Sequence, residues 1–376
     1  MTYHLHAAFD DSETVVQRLR EWLAAFPEGG VLALVTERER SRVPELQALC
    51  RDIGMPLLGA VFPEIHLAGQ FHDQGVLLIL LNPMTDFYRL IEFTPDEGGA
   101  LTQAEALADE VEEAITDPES TTLLMMFDAL VPNISSILET LYMKLAESVH
   151  YAGGNAGSET FQSIPCLFDS DRLIGNGLLA MLLRDNRGAA LEHGYEAPDK
   201  LIAATATEGN RIISIGWQPA FDVYSEHVKQ LYGVEVTRDN FYDFGVHFPF
   251  GILRADDEVL VRIPVKLEPD GSLFCVGEVP EHTVLTLLEA PAPSSLQTAR
   301  LLAERLDGER QAVFNFYCAG RRVHFGAEAA TQELGRLYQD LECQALFGAL
   351  SLGEIGSSQH GGYPLFHHAA LVCMTW

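Results

Sequence analysis

The chain has 376 residues, 47% of them hydrophobic, with 54 acidic against 24 basic side chains and a net charge of −30. That length allows two domains of about 150 residues each, and the composition is that of a chain with a packed core rather than a disordered one. So large a negative surplus repels phosphate backbones and anionic lipid, which argues against nucleic-acid binding and against binding to a membrane surface.

The N-terminal MTYHLHAAFDDSE has no basic n-region and no apolar h-region, so no secretory leader is expected. Six cysteines are scattered without CxxC spacing, which suits a reduced cytoplasm. Apolar runs are strand-sized, shorter than the about 18 residues that a membrane span needs. Val15, Val16, Leu19, Trp22 and Leu23 recur at helical spacing over 13–26. A cassette then begins at Val31: VLALVTERE, the helical ELQALCRDIG, PLLGAVFPEI, and FHDQGVLLILL. FYRLIEF reads as a strand, and 101–115 as an acidic helix that ends before Asp117-Pro118.

The cassette returns as TTLLMMFDAL, ISSILETLYMKLAES, VHYAGGNAGSE and NGLLAMLL, and again as AVFNFYCAG, TQELGRLYQDLE, QALFGALSLGEI and FHHAALVCMTW. Such repetition says that one supersecondary unit builds most of the chain. Gly59, Gly153 and Gly348 fall at matching places, as do His72 and His367. Glu64, Glu159 and Glu354 follow the glycines, the first at a spacing one residue shorter. Residues 185–200 (DNRGAALEHGYEAPDK) suit a long loop or a boundary between domains.

From 200 to 290 the pattern is β-rich: two strands around the Glu208-Gly209-Asn210 turn, a helix over 222–231, and short strands over 252–254, 259–265, 273–276 and 283–288. The linker APAPSS and a helix over 296–305 precede the third cassette. The expectation is an α/β fold with mostly buried sheets covered by helices, because runs such as VLLILL and LLAMLL suit strands buried on both faces. Two halves are expected, 1–200 with two cassettes and 201–376 with the β-rich segment and the third. The terminal run 368–376 should be an interior strand.

The stretches YAGGNAGSE, HGYEAPDKLIAATATEGNRIISIGWQPAFDVY, EPDGSLFCVGEVPE, FNFYCAGRRVHFG and FGALSLGEIGS…FHHAAL resemble the FIST sensory domain, N-terminal and C-terminal halves in order, over about residues 30–376. The family pattern has FHNQ before the last strand, whereas this chain has Phe366-His367-His368-Ala369. The resemblance implies a bacterial signal-input module for a small-molecule ligand rather than an enzyme. Its nitric-oxide-sensing NosP branch binds haem and acts on a histidine kinase, so haem b and a kinase partner are the first expectation. A sensor of a small amino-acid-like metabolite is the alternative. Without an output domain in the sequence, the signal should pass to a separate protein, and a homodimer stays open. Hydrolysis at a Ser158/Glu159 loop is the enzyme form to test, although no Walker loop, HExxH or GxSxG is present.

A non-covalent haem, with no CxxCH to attach it, needs an axial ligand in an apolar pocket. Of thirteen histidines, His193 is the first choice for the iron, being in a glycine-bearing junction loop outside the cassettes. His247 has aromatic neighbours, and His367 matches His72, which also suits a shared structural job. Glu354 could hold a ligand amine or bond backbone N–H groups. Gly153, Gly154 and Asn155 could form an anion-binding nest, or only a turn.

Overall fold

The structure is a computed structural model that describes residues 4–8, 11–94, 98–254, 258–292, 296–306, 310–357 and 362–376. Residues 256–257 of an acidic cluster and 293–295 of the proline-bearing linker lie outside the described residues. Three units recur, each an edge strand, a helix, a strand, a helix, a strand, a hairpin and a returning strand. Unit one is β1 His4–Ala7, α1 Ser12–Ala25, β2 Gly30–Thr36, α2 Val43–Ile53, β3 Leu57–Phe62, the hairpin β4 Ile65–Leu67 and β5 Gln70–His72, and β6 Val76–Leu81. Unit two is β7 Tyr88–Glu92, α3 Gly99–Ala114, β8 Thr121–Asp128, α4 Ile134–Leu145, β9 His150–Ala156, the hairpin β10 Leu167–Asp169 and β11 Leu173–Ile174, and β12 Gly177–Arg184.

Unit three opens with β13 Ala189–Glu192, inside the stretch expected as a loop. A β-rich insertion follows: β14 Ile202–Glu208, β15 Arg211–Ile215, β16 Gln218–Pro219, α5 Ala220–Tyr232, α6 Phe241–Phe244, β17 Phe250–Leu253, β18 Val259–Arg262, β19 Pro264–Leu267, β20 Leu273–Cys275 and β21 Val284–Leu287. The unit resumes with α7 Gln297–Arg305, β22 Ala312–Cys318, α8 Ala319–Phe325, α9 Ala327–Leu341 and β23 Ala345–Ser351. It ends with the hairpin β24 Glu354–Gly356 and β25 Leu365–His367, and then β26 Leu371–Thr375.

Three six-stranded sheets have the orders β1-β6-β2-β3-β10-β11, β25-β24-β9-β8-β12-β7 and β13-β26-β22-β23-β4-β5. Each is built around one parallel pair: β2 with β3, β8 with β9, β22 with β23. In each, the hairpin on the last edge belongs to another unit. Unit one's hairpin completes sheet three, unit two's completes sheet one, and unit three's completes sheet two. β26 lies between β13 and β22, so the C-terminal run is an interior strand as expected, buried from Ala369 to Met374. The insertion forms an antiparallel sheet of its own.

The repeated glycines explain how the hairpins fit. Gly59 faces Phe168, Gly153 faces Ile355 and Gly348 faces His66, each across an exchanged strand. A Cβ at any of the three would overlap the carbonyl oxygen of Ala33, Met125 or Asn315 in the neighbouring parallel strand. The third strands β3, β9 and β23 also touch one another at the centre. Ala60 and Phe62, Ala152 and Ala156, and Phe347 and Ala349 share this inner core, while the out-of-phase Tyr151 and Leu346 join outer cores under the helices. Replacing Gly59, Gly153 or Gly348 by Ala should each destabilise the protein by about 1–3 kcal/mol in urea unfolding. Gly335 of α9 has open space around it, so Gly335→Ala should stabilise by about 0.5–1 kcal/mol.

Candidate functional site

The hairpin exchange brings β24 against β9, which sets Glu354 opposite Gly154 on one side and opposite His367 on the other. Gly154 leaves room for the ring of Phe316. The glycine run does not form a nest: Gly153, Gly154 and Asn155 are in strand conformation, and the Asn155 N–H donates to the Gly353 carbonyl. Glu354 is fully buried and accepts from Ser351 Oγ at 2.5 Å and from the Ala370 N–H at 3.4 Å. Burial pushes its carboxyl up to about 8, against the hydrogen bonds that favour its charged form. Burial and the adjacent Glu354 together raise the Cys318 thiol, which accepts from the Ala369 N–H at 3.0 Å.

Next to Glu354 in the paired strands, both ring nitrogens of His367 and the side-chain amide of Asn155 are buried and meet no partner, and the same is true of Nε2 of His368 and the hydroxyl of Tyr195. Burial and the neighbouring His193 hold His367 well below the usual histidine range, so its ring is neutral. Buried groups of this kind ordinarily find partners, which makes these atoms candidate ligand contacts.

A second network is fully satisfied. Arg321, completely buried in α8, grips Glu333 of α9 with two bonds of 2.7 Å, and Tyr317 donates to the same carboxylate at 2.8 Å. Arg321 also donates to the carbonyls of His193 at 2.6 Å and Ala369 at 3.1 Å. Ala369 is held at φ 56°, a left-handed conformation that costs a Cβ-bearing residue about 1–3 kcal/mol. The network therefore fixes the turn that carries His367 and His368. Glu64 and Glu159 are not equivalents of Glu354: both clasp Arg322, at 2.6 and 2.9 Å, and tie units one and two to α8. Ser158 is hydrogen-bonded to Thr160 at 3.0 Å, and the carboxylate of the adjacent Glu159 is held by Arg322.

A cleft of about 190 Å³ opens beside Cys318 and His368. Its floor is Ala319, Gly320 and Leu352 at the carboxyl ends of β22 and β23. Val246, Ile263, Pro264 and Val265 of the inserted segment wall it, and Phe161, Tyr242 and Val323 stand exposed at its rim. Carboxyl ends of strands and junctions between layers are where α/β folds bind ligands.

The structure thus gathers Gly153, Gly154, Asn155, Glu354 and His367, with the His193 ring 6.1 Å from that of His367. His247 lies apart from them, its Nδ1 2.7 Å from Nδ1 of His324. The haem expectation meets two obstacles of fit. His193 Nδ1 accepts from the Tyr195 N–H at 3.0 Å and Nε2 donates to the Val259 carbonyl at 3.1 Å, which leaves no lone pair for iron. The cleft, at about 190 Å³, is also below the about 300–1,000 Å³ of sites for drug-sized ligands. Among the described residues no cluster of three or more His, Cys, Asp or Glu side chains could hold a metal ion. None of their helices is long and apolar enough to cross a membrane.

Sequence reasoning passed over Cys318, Arg321, Glu333, Ser351 and the walls from the insertion. Two signals were present. Glu333 interrupts the apolar stripe of α9 at a core position, and Arg321 stands three residues after the apolar strand β22.

Glu354→Gln tests the buried carboxyl. A native pKa near 8 against an ordinary 4.5 means the unfolded chain loses its proton first, so wild-type stability falls between pH 4.5 and 8. The variant, which keeps an acceptor for Ser351, should gain stability relative to wild type from pH 5 to pH 8 in urea unfolding. A difference independent of pH would contradict the assignment.

No curated protein matches the chain. The FIST N domain family model matches residues 31–218 and the FIST C domain model residues 220–357, so the two meet inside the inserted sheet. FIST domains are sensory domains that bind small ligands in signal transduction. The chain belongs to the FIST family.

Proposed function

We propose that this protein senses a small ligand, of about the size of an amino acid, held in the cleft between unit three and the inserted sheet. The observation that carries the reading is the composition of the cleft walls. Unit two supplies Phe161, unit three supplies Cys318 and Leu352, and the insertion supplies Val246 and Ile263. An occupant touches all three parts at once and so can bias how they pack, which is what an input domain requires. The volume of about 190 Å³ favours a metabolite over a porphyrin. The signal then passes by direct contact to a separate signalling protein. A histidine kinase is the partner that the resemblance to the FIST family implies.

Purified wild-type protein should release one small molecule on denaturation, identified by mass spectrometry, and should have no Soret band. Val246→Trp fills the cleft and should abolish that release while the protein stays folded. A Soret band in wild type that is lost in His193→Ala or His367→Ala would instead support haem as the ligand. Absence of both a released molecule and a Soret band would contradict ligand sensing at this place.

A further inference from the structure

One residue of the cleft lining carries a hydrogen-bond acceptor with nothing to accept. His368 lines the cleft and is 1% exposed. Its Nδ1 is 3.4 Å from the carbonyl oxygen of Val261. A carbonyl can only accept, so Nδ1 carries the ring proton and Nε2 keeps a bare lone pair. That Nε2, on the opposite edge of the ring, is buried and meets no partner. Burial, helped by the nearby Arg262 charge, holds the His368 pKa down to about 3, so the ring gains no second proton near neutrality.

The surroundings do not offer the missing donor. The Cys318 thiol beside it is hydrogen-bonded to the Glu354 carboxyl, and its sulfur also accepts from the Ala369 N–H. Arg262 spends its guanidinium on the carbonyls of Glu278, Val261 and Phe366 and on Ser135 Oγ. The inner walls are otherwise aliphatic, while Phe161 and the phenol of Tyr242 stand exposed at the rim and Glu159 there is held by Arg322. A charged head would lose its hydration against such walls, and an acceptor-only head would face the His368 lone pair.

We infer that the cleft selects a small uncharged amphiphile, with a hydroxyl or amide head that donates to His368 Nε2 and an apolar body that packs on Val246, Ile263 and Val265. This rests on the sensing site proposed above and adds its ligand chemistry. An alcohol meets both demands, the matching ether lacks the donor, and the matching carboxylate lacks the donor and carries charge.

The test uses 3-methylbutan-1-ol, its methyl ether and 3-methylbutanoate, which share one apolar body, with binding read by ligand-observed NMR on the full chain. The alcohol should bind at least about five-fold more tightly than the other two, the worth of one hydrogen bond. His368→Leu should remove that preference, and Val246→Trp should remove all binding. Should His368→Leu fail to fold, the ¹⁵N resonance of His368 Nε2 in wild type reads the same bond, and must shift with the alcohol and not with the ether. Equal binding of alcohol and ether, a preference that survives His368→Leu, or an unmoved Nε2 resonance would overturn the inference while leaving the cleft as a site. Failure of wild type to bind any of the three also overturns it. The sensing reading itself falls only if the purified protein in addition releases no small molecule.

Discussion

Every one of the three main sheets needs a hairpin from another unit to cover the outer edge of its parallel pair. Without β10 and β11, β3 would expose a row of unpaired N–H and C=O groups, and the same holds for β9 without β24 and for β23 without β4. The exchange closes in a ring, since unit one gives to three, three to two and two to one. No unit can therefore complete its own sheet, and the first half of the chain is hydrogen-bonded to the second at several places. Gly59, Gly153 and Gly348 lie at these seams, where a Cβ would overlap the carbonyl oxygen of the parallel neighbour and crowd the facing side chain of Phe168, Ile355 or His66.

The site inherits its asymmetry from this near-symmetric frame. At the three equivalent hairpin positions stand Ile65, Leu167 and Glu354, of which only Glu354 carries a charge. Its partner across the hairpin is His367, whereas the matching His72 of unit one faces Ile65 and is half-buried beside His6. One repeat has thus kept an apolar seam and another has gathered polar groups. The insertion then adds what unit three alone lacks, an apolar wall over the carboxyl ends of β22 and β23.

Arg321 holds these parts in register. Its four hydrogen bonds reach α9, the loop after β13 and the turn before β26, and Tyr317 reinforces its carboxylate partner. A buried ion pair of this kind adds little net stability compared with apolar packing, but breaking it leaves an uncompensated charge at a cost of about 3–5 kcal/mol. Its contribution here is geometric, because the strained Ala369 keeps both preceding histidines in place. Glu278 makes a comparable tie from the insertion to unit two, accepting from the Ser135 N–H at 2.8 Å and from Ser136 at the start of α4.

Much of this was legible in the amino-acid order. Alternation, helical spacing and turn residues located most elements, and the recurrence of one pattern announced three units, because local hydrophobic periodicity reflects which face is buried. The equivalence of the three glycines and of His72 with His367 could be read directly, and so could an interior C-terminal strand. The family could be recognised from contiguous motifs. Which unit completes which sheet could not, since all three hairpins have similar local patterns and pairing is settled by contacts distant in the chain. For the same reason Glu64 and Glu159 looked like partners of Glu354, although an eight-residue longer loop in unit two and a one-residue offset in unit one send them to Arg322 instead. His193 looked free in a loop, yet both its nitrogens are engaged. Sequence alone determined the elements, the repeat and the kind of protein. Tertiary structure alone decided the exchange, the protonation of Glu354 and the bare acceptor on His368, because hydrogen-bond partners and burial are properties of neighbours that the chain brings together only by folding.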